Sequence, residues 1–507
     1  MNNWEISVRS PRVQLRVFRT IGRTTDGRRV LAERFTGIDR VLDLTGFLSD
    51  GGSITTTKSV REPAGAFSLT FVDQPHFQED TGFETLYGIL EPMDVVEIRM
   101  HGGERMPDTG IVPIVMRGFI SSIQRTEAMG ADGRPMRTVT ITGQDYGKLW
   151  QILQIIHLPA YVLGQELLTQ FRLFLRFGVG FQSALPPGEF VRQVIDKILN
   201  EFMSKMFPPA SHVPQGLPIM VRPDVTVRRG VTSVTGPQNQ EGTIYDLMRI
   251  YGDVGIWNEL FIEDREDGVF GVYRVRPTLD IDGTLIAAED GAVMPPVIPV
   301  DAEDVVSMQL SRTDAHVANF YWLRAPRYDM ITPIVQKLWA ISMEDRDTVN
   351  LKEHPNSLFE LYGLRTMYGQ TELIDDADPR LSALPGRPRE EFDRQSRALE
   401  RWIDNRRRIM VEQNKDNVLF ESGTIKIKGN ERIRAGNYII LRRGTFSSMY
   451  YVVAVQHDFA PFHSYFTTLT VERGTGFIER IRRKLGAGAP FSAERSSRPG
   501  GNNAPAT

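Results

Sequence analysis

Two stretches of this chain write the same phrase. "RTVTITGQDYGKLW", Arg137 to Trp150, alternates apolar and polar residues and then breaks into a helical pattern; "FTTLTVERGTGFIERI", Phe466 to Ile481, does the same. Alternation with period two marks a half-buried strand. A strand that stops and turns helical, written twice in one chain, restricts the fold to one that can hold two copies of a β architecture. It also frames the problem as one of symmetry rather than catalysis.

Length and composition narrow the rest. At 507 residues the chain exceeds what one core fills, and about three or four domains are expected. Hydrophobic residues at 41% and charged residues at 24% are ordinary for a globular protein. The net charge of -3 argues against bulk nucleic-acid binding through a basic face. Without a single cysteine, disulfides, thiolate metal sites and cysteine nucleophiles are excluded. The start "MNNWEISVRSPRVQLRVF" has no apolar run of signal-peptide length, so export by a leader is not expected. The one membrane-like stretch, Tyr161 to Phe181, carries Gln165, Glu166, Gln170, Arg172 and Arg176. Each charge at a span centre costs roughly 2.5 to 3.5 kcal/mol, so the stretch reads as a buried or partner-facing helix and no membrane span is expected.

Up to about Trp150 the chain reads as β. Phe67, Leu69 and Phe71 share one face of "GAFSLTFVD", and Val139 and Ile141 share one face of a later strand whose other face is Thr138, Thr140 and Thr142. Asp132-Gly133 marks a hairpin before that strand. Gly143 is expected to end it, with Asp145 as N-cap of a helix carrying Leu149, Ile152, Leu153 and Ile156. The middle of the chain is mixed. An amphipathic helix carries Val191, Val194, Ile195, Ile198, Phe202 and Met206, a short helix follows in "GTIYDLMRIYGDVG", and Asp267-Gly268 joins two strand-like runs. Strand pattern returns from Ala302. A long helix is expected from about Glu390 to Gln413, with Phe392, Leu399, Trp402, Ile403 and Met410 on its apolar side and Arg397, Arg401 and Arg408 on a basic, solvated one. Four short strands then lead to a tail of Gly, Ala, Ser, Pro and Asn that is expected to be disordered.

Set side by side, "PMDVVEIRM", "MRGFISSIQRT" and "MRTVTITGQD" match "AGNYIILRRG", "MYYVVAVQHDF" and "YFTTLTVERG" in order and length, each Thr-rich strand closing at Gly143 or Gly474. This arrangement resembles the baseplate hub proteins of contractile-tailed bacteriophages, a family that includes late control protein D and the hub part of the type VI secretion spike. "ITGQDYGKLW", the helix-hairpin "GTIYDLMRIYGDVGIWNELFIEDREDGVFGVYRVRP" and "IRAGNYIIL", "YYVVAVQHDF" and "FTTLTVERG" carry the resemblance. The first sixty residues and Asp329 to Arg389 take no part in it.

The resemblance implies a mainly β, α+β fold: two tube-like antiparallel β-barrels with an inserted mixed α/β domain and connecting helices. The expected division is a first barrel with its closing helix at 1–158, the insertion at 159–300, return strands, an irregular segment and the long helix at 301–416, a second barrel at 417–482 and the tail at 483–507. It further implies a homotrimer in the virion's tail baseplate, assembled in the host cytoplasm. Its partners would be the tail tube protein, the central spike, other baseplate proteins and the tape-measure protein, with DNA only in transit during genome ejection. Three chains with two barrels each would meet a sixfold tube while remaining threefold toward the spike.

The residues speak against chemistry. No His-Glu-x-x-His helix, phosphate-binding loop, dinucleotide fingerprint or nucleophile elbow occurs. The nearest approach to a metal set is His457, Asp458 and His463 beside a strand end, and these read as polar residues of a barrel end. Acidic pairs such as Asp375-Asp376 and Glu390-Glu391 become catalytic only across a cleft. No catalytic, cofactor-binding or metal residues are therefore expected. The alternative of a different class is a tail-associated peptidoglycan-degrading enzyme hidden within 159–300.

Overall fold

The computed structural model describes residues 11–19, 41–48, 51–73, 75–78, 82–103, 110–129, 133, 135–155, 186–207, 213–232, 242–324, 354–374, 389–443 and 446–479. The membrane-like stretch, the 483–507 tail, Ile156 and Asp375-Asp376 lie outside these residues, as do the side chains of Glu390, Glu391, Phe392, Arg397 and Leu399. No helix among the described residues is long and apolar enough to cross a membrane.

Thirteen strands form one sheet, mainly antiparallel. In chain order they are β1 (Arg12–Phe18), β2 (Val41–Asp43), β3 (Ser53–Ser59), β4 (Ala66–Val72), β5 (Val95–His101), β6 (Ile114–Met129), β7 (Pro135–Asp145), β8 (Val297–Asp301), β9 (Val305–Ser311), β10 (Glu421–Lys428), β11 (Tyr438–Arg443), β12 (Phe446–Ala460) and β13 (Ser464–Gly474). The main path runs β9-β10-β13-β12-β3-β4-β7-β6-β5-β1-β2, with β11 on the first half of β12 and β8 parallel to β11.

That path contains one order twice. β3-β4-β7-β6-β5-β1 repeats as β9-β10-β13-β12-β11-β8, except that β1 is antiparallel to β5 whereas β8 is parallel to β11. The hydrogen-bond ladders agree in detail. β6 bulges between Ile120 and Ser122 opposite β7, and β12 bulges between Val452 and Ala454 opposite β13. The extra residue, Ser121 or Val453, is the eighth of its strand in both. Before β5, Asp94 N–H donates to Glu91 O and Ile120 N–H to Asp94 O; before β11, Asn437 N–H donates to Arg434 O and Val452 N–H to Asn437 O. The turn residue ahead of each strand has positive φ, 73° at Met93 and 86° at Gly436. Bulges and turns pin register, so these coincidences equate the two halves residue by residue.

Each unit has its own core. Phe67, Leu69, Phe71, Val96, Ile98, Val139 and Ile141 pack in the first, and Ile425, Ile427, Ile439, Leu441, Val452, Val455, Leu469 and Val471 in the second. The faces expected for Phe67, Leu69, Phe71, Val139 and Ile141 are thus the buried ones. The strand ends differ from expectation. β7 continues through Gly143 to Asp145, and the helix Gly147–Ile152 has Tyr146 at its N-cap with no side-chain cap; Asp145 instead accepts from Gly147 N–H at 2.9 Å. Register equates Gly143 with Val471 and Gly474 with Tyr146, so the two closing glycines are not counterparts.

A second layer covers the units. A helical run, Pro187–Val194, a π-helical Ile195–Leu199 and Asn200–Met206, buries Val191, Val194, Ile195, Ile198 and Met206 as the periodicity predicts. The helix Ile244–Tyr251 starts at a capping box between Thr243 and Asp246. The hairpin Asn258–Arg265 with Gly268–Val275 turns at Glu266-Asp267, one residue earlier than Asp267-Gly268. The long helix spans Arg389–Asn414 and buries Trp402, Ile403 and Met410. It also buries Arg406, placed over Trp402 with its guanidinium centre 4.2 Å from the ring, its Nη1 3.8 Å from Asp290 and its Nε 3.9 Å from Asp253.

Candidate assembly site at the junction of the two units

The two units meet strand to strand. β3 lies antiparallel to the second half of β12, with Ile54 opposite Phe459, Thr55 opposite Asp458, Thr56 opposite His457, Thr57 opposite Gln456, Lys58 opposite Val455 and Ser59 opposite Ala454. β11 uses the same edge of β12 over Phe446–Tyr451, so β3 fills the remaining length.

Side chains tie the ladder. Thr55 donates to Asp458 at 3.0 Å, and Gln456 donates to both oxygens of Asp458. Behind it, Lys58 reaches Asp264 at 2.6 Å and Asp145 at 3.1 Å. Burial works against the Lys58 charge, but the two carboxylates outweigh it and raise its pKa. Burial, with the Asp264 carboxylate adding to it, raises the Asp145 pKa against the opposing pull of Lys58 and the Gly147 N–H. At the far end Arg61 and Arg276 both bind Glu472; burial opposes that carboxylate's charge, yet the pair holds its pKa below the usual value.

His457 faces inward, Nδ1 lying 3.0 Å from the Thr467 hydroxyl, with Tyr465 OH at 3.3 Å. Burial, helped by Arg434, pushes its pKa down to about 4. Asp458 points to the opposite face, as strand alternation requires, and His463 lies in the turn beyond. The three do not converge, and no cluster of metal-ligating residues occurs among the described residues. The cavity beside Lys58, Asp264, Arg434 and His457 measures about 40 Å³. That is water-sized.

Sequence reading missed the charge that joins the sheet to the hairpin layer. Glu97, fully buried, binds Arg16, Arg99 at 2.8 Å and Arg117 at 2.9 Å. Burial opposes its charge, but the three guanidiniums keep its carboxyl below the usual range. Arg99 continues to Glu266, and Arg117 donates to Arg265 O. On the second unit Arg274 binds Glu259 and Gly436 O. Its signal was alternation in "VVEIRM" with a carboxylate on the face opposite Val96 and Ile98, which local pattern assigns to solvent. The expected basic face of the long helix is partly a docking face, since Arg408 binds Glu289 outside the helix as well as Glu412 one turn along it.

No family model and no curated protein matches the sequence. Among solved structures the chain is similar to a tail protein from Neisseria meningitidis at 9% identity, over 91% of this chain and 96% of that one, with a TM-score of 0.40. It is similar to a 43 kDa tail protein of prophage MuSo2 from Shewanella oneidensis at 10% identity, with the same coverage and TM-score. It is also similar to an Escherichia coli component of the type VI secretion system, described as resembling phage T4 tail proteins, at 7% identity over 83% and 72%, with a TM-score of 0.33.

Proposed function

We propose that the chain is a structural hub of a phage or phage-like contractile tail, not an enzyme. Three copies surround the tail axis, join the sixfold tube to the threefold spike, and enclose part of the channel through which DNA leaves. Within each copy the two units act as tube-like barrels. The observation that carries this reading is the repeated strand order, with its matching bulges and turns, joined edge to edge within one chain. A threefold ring of such chains presents six alike units, and each junction, inside or between chains, turns by about one sixth of a circle. A reconstruction of the assembled tail end tests it. Three copies around the axis are expected, with the β3–β7 and β9–β13 regions superposing as related barrels. Six copies, or a single unlike contact to the tube, would overturn the reading.

A further inference from the structure

The first unit has the same open half-edge that β3 fills on the second. β5 covers only Ile114–Phe119 of β6, as β11 covers only Phe446–Tyr451 of β12. Beyond its bulge β12 receives β3; beyond its own bulge β6 receives no strand among the described residues. Burial follows this. Val455, His457 and Phe459 are buried, whereas Ser122, Gln124, Thr126 and Glu127 are exposed and Ile123 and Arg125 half-buried. At the other end of the sheet, β9 holds the place of β3. It pairs with β10 on one side and, among the described residues, with nothing on the other.

We propose that β9 of one copy adds to the open edge of β6 in the next, repeating between chains the joint that β3 and β12 make within one. The ladders dictate the register. Aligning the two bulges places Ser122–Glu127 where Ala454–Phe459 stand, and following β7-β4-β3 against β13-β10-β9 places Met308 where Ile54 stands and Gln309 where Thr55 stands. Thr126 then faces Gln309, Arg125 faces Leu310, Gln124 faces Ser311, and Glu127 faces Met308. The faces agree as well as the register. Ile123 packs against the first core, Met308 and Leu310 against the second, so both cores continue across the joint as they do at Ile54 and Val455. Thr126 and Gln309 inherit the place of the Thr55–Asp458 hydrogen bond and, like that pair, can form one. Val306, the bulged residue of β9, falls outside the stretch used. Because the contact is head to tail, it closes only when its rotation fits a ring; its number of copies rests on the threefold reading above, whereas its register does not.

The absence of cysteine makes the test direct. Full-length protein, free and in tail particles, carrying Thr126→Cys with Gln309→Cys is treated with a short bis-thiol cross-linker and run under denaturing conditions. Thr55→Cys with Asp458→Cys reports the internal joint, and Thr126→Cys with Val297→Cys, on β8 outside the proposed joint, is the negative control. A ladder of covalent species ending at three chains, from the matched pair alone, is the expected result. A ladder ending elsewhere, or open-ended, keeps the strand pairing and overturns the threefold ring. Cross-linking within the chain at Thr55 and Asp458, with none between chains from the matched pair, overturns the pairing.

Discussion

Glu97 of the first unit and Ile440 of the second hold the same place, three residues after the equated turn residues Asp94 and Asn437. One is a buried carboxylate held by three arginines; the other is a half-buried aliphatic. A similar exchange occurs on the closing strands. The first unit sets Phe67 opposite Gly143, and the second sets Gly423 opposite Val471, so the glycine has changed strands while the facing pair keeps one large and one absent side chain. What is shared is backbone: strand order, bulge and turn. What differs is the chemistry each face presents. Ladder hydrogen bonds do not depend on side chains, so register persists where packing has been rewritten.

The comparison breaks most severely if a core position proves tolerant. Ile141→Asp and Leu469→Asp occupy equated, fully buried sites, and each is expected to cost more than ~4 kcal/mol by burying an unpaired carboxylate. Circular dichroism and solubility should show loss of folded protein in both; survival of one alone would mean the units are not equivalent. Glu97→Gln strands buried Arg117 and should cost about 3–5 kcal/mol, whereas Ile440→Val should cost about 1 kcal/mol. Since the folded Glu97 pKa lies below its unfolded value, its contribution is present above that unfolded value and fades as pH falls through the folded one. Denaturant midpoints should therefore show a steeper acid loss for the native chain than for Glu97→Gln.

His457 sharpens the contrast, because the equated position in the first unit is an arginine, Arg125, rather than an imidazole. With the folded pKa down at about 4, the native state holds His457 neutral while the unfolded chain protonates it. Stability is full above the unfolded pKa near ~6.5 and falls as pH drops toward the folded value, by about 3 kcal/mol in all. His457→Gln should flatten the midpoint-versus-pH curve over that window. A further test concerns the exchanged glycine. A Cβ on Gly143 would lie 2.2 Å from the Phe67 ring and 2.3 Å from Phe119 O. Gly143→Ala should cost about 1–3 kcal/mol, and less in a Phe67→Ala background, the difference appearing as a favourable coupling in a double-mutant cycle.

These positions also show how much could be read from sequence. Half-buried strands such as Ala66–Val72 declare themselves through period two, and the doubled order was visible because strand lengths and turn residues are local properties. The Asp94 and Asn437 turns fell in register from the letters alone. The joint itself was not legible: Thr55 and Asp458 stand 403 residues apart, and nothing local says which edges meet. Glu97, Arg117 and Arg406 were invisible for a related reason. A charge in an alternating strand or on a helix face reads as solvated until the partner layer is known. The glycines misled because Gly143 marks a close approach of two strands rather than an end.

The β3–β12 joint has a consequence for synthesis. β3 emerges from the ribosome about 400 residues before its partner, which at ~5–20 residues per second leaves its edge unmatched for roughly 20–80 seconds. An exposed strand edge held that long is an invitation to pair with the wrong chain. Its sequence, "SITTTKS", answers that hazard: short, Thr-rich and carrying Lys58, it is poorly suited to aggregate. The same lysine later finds Asp264 and Asp145, so one residue guards the nascent edge and then locks the finished joint.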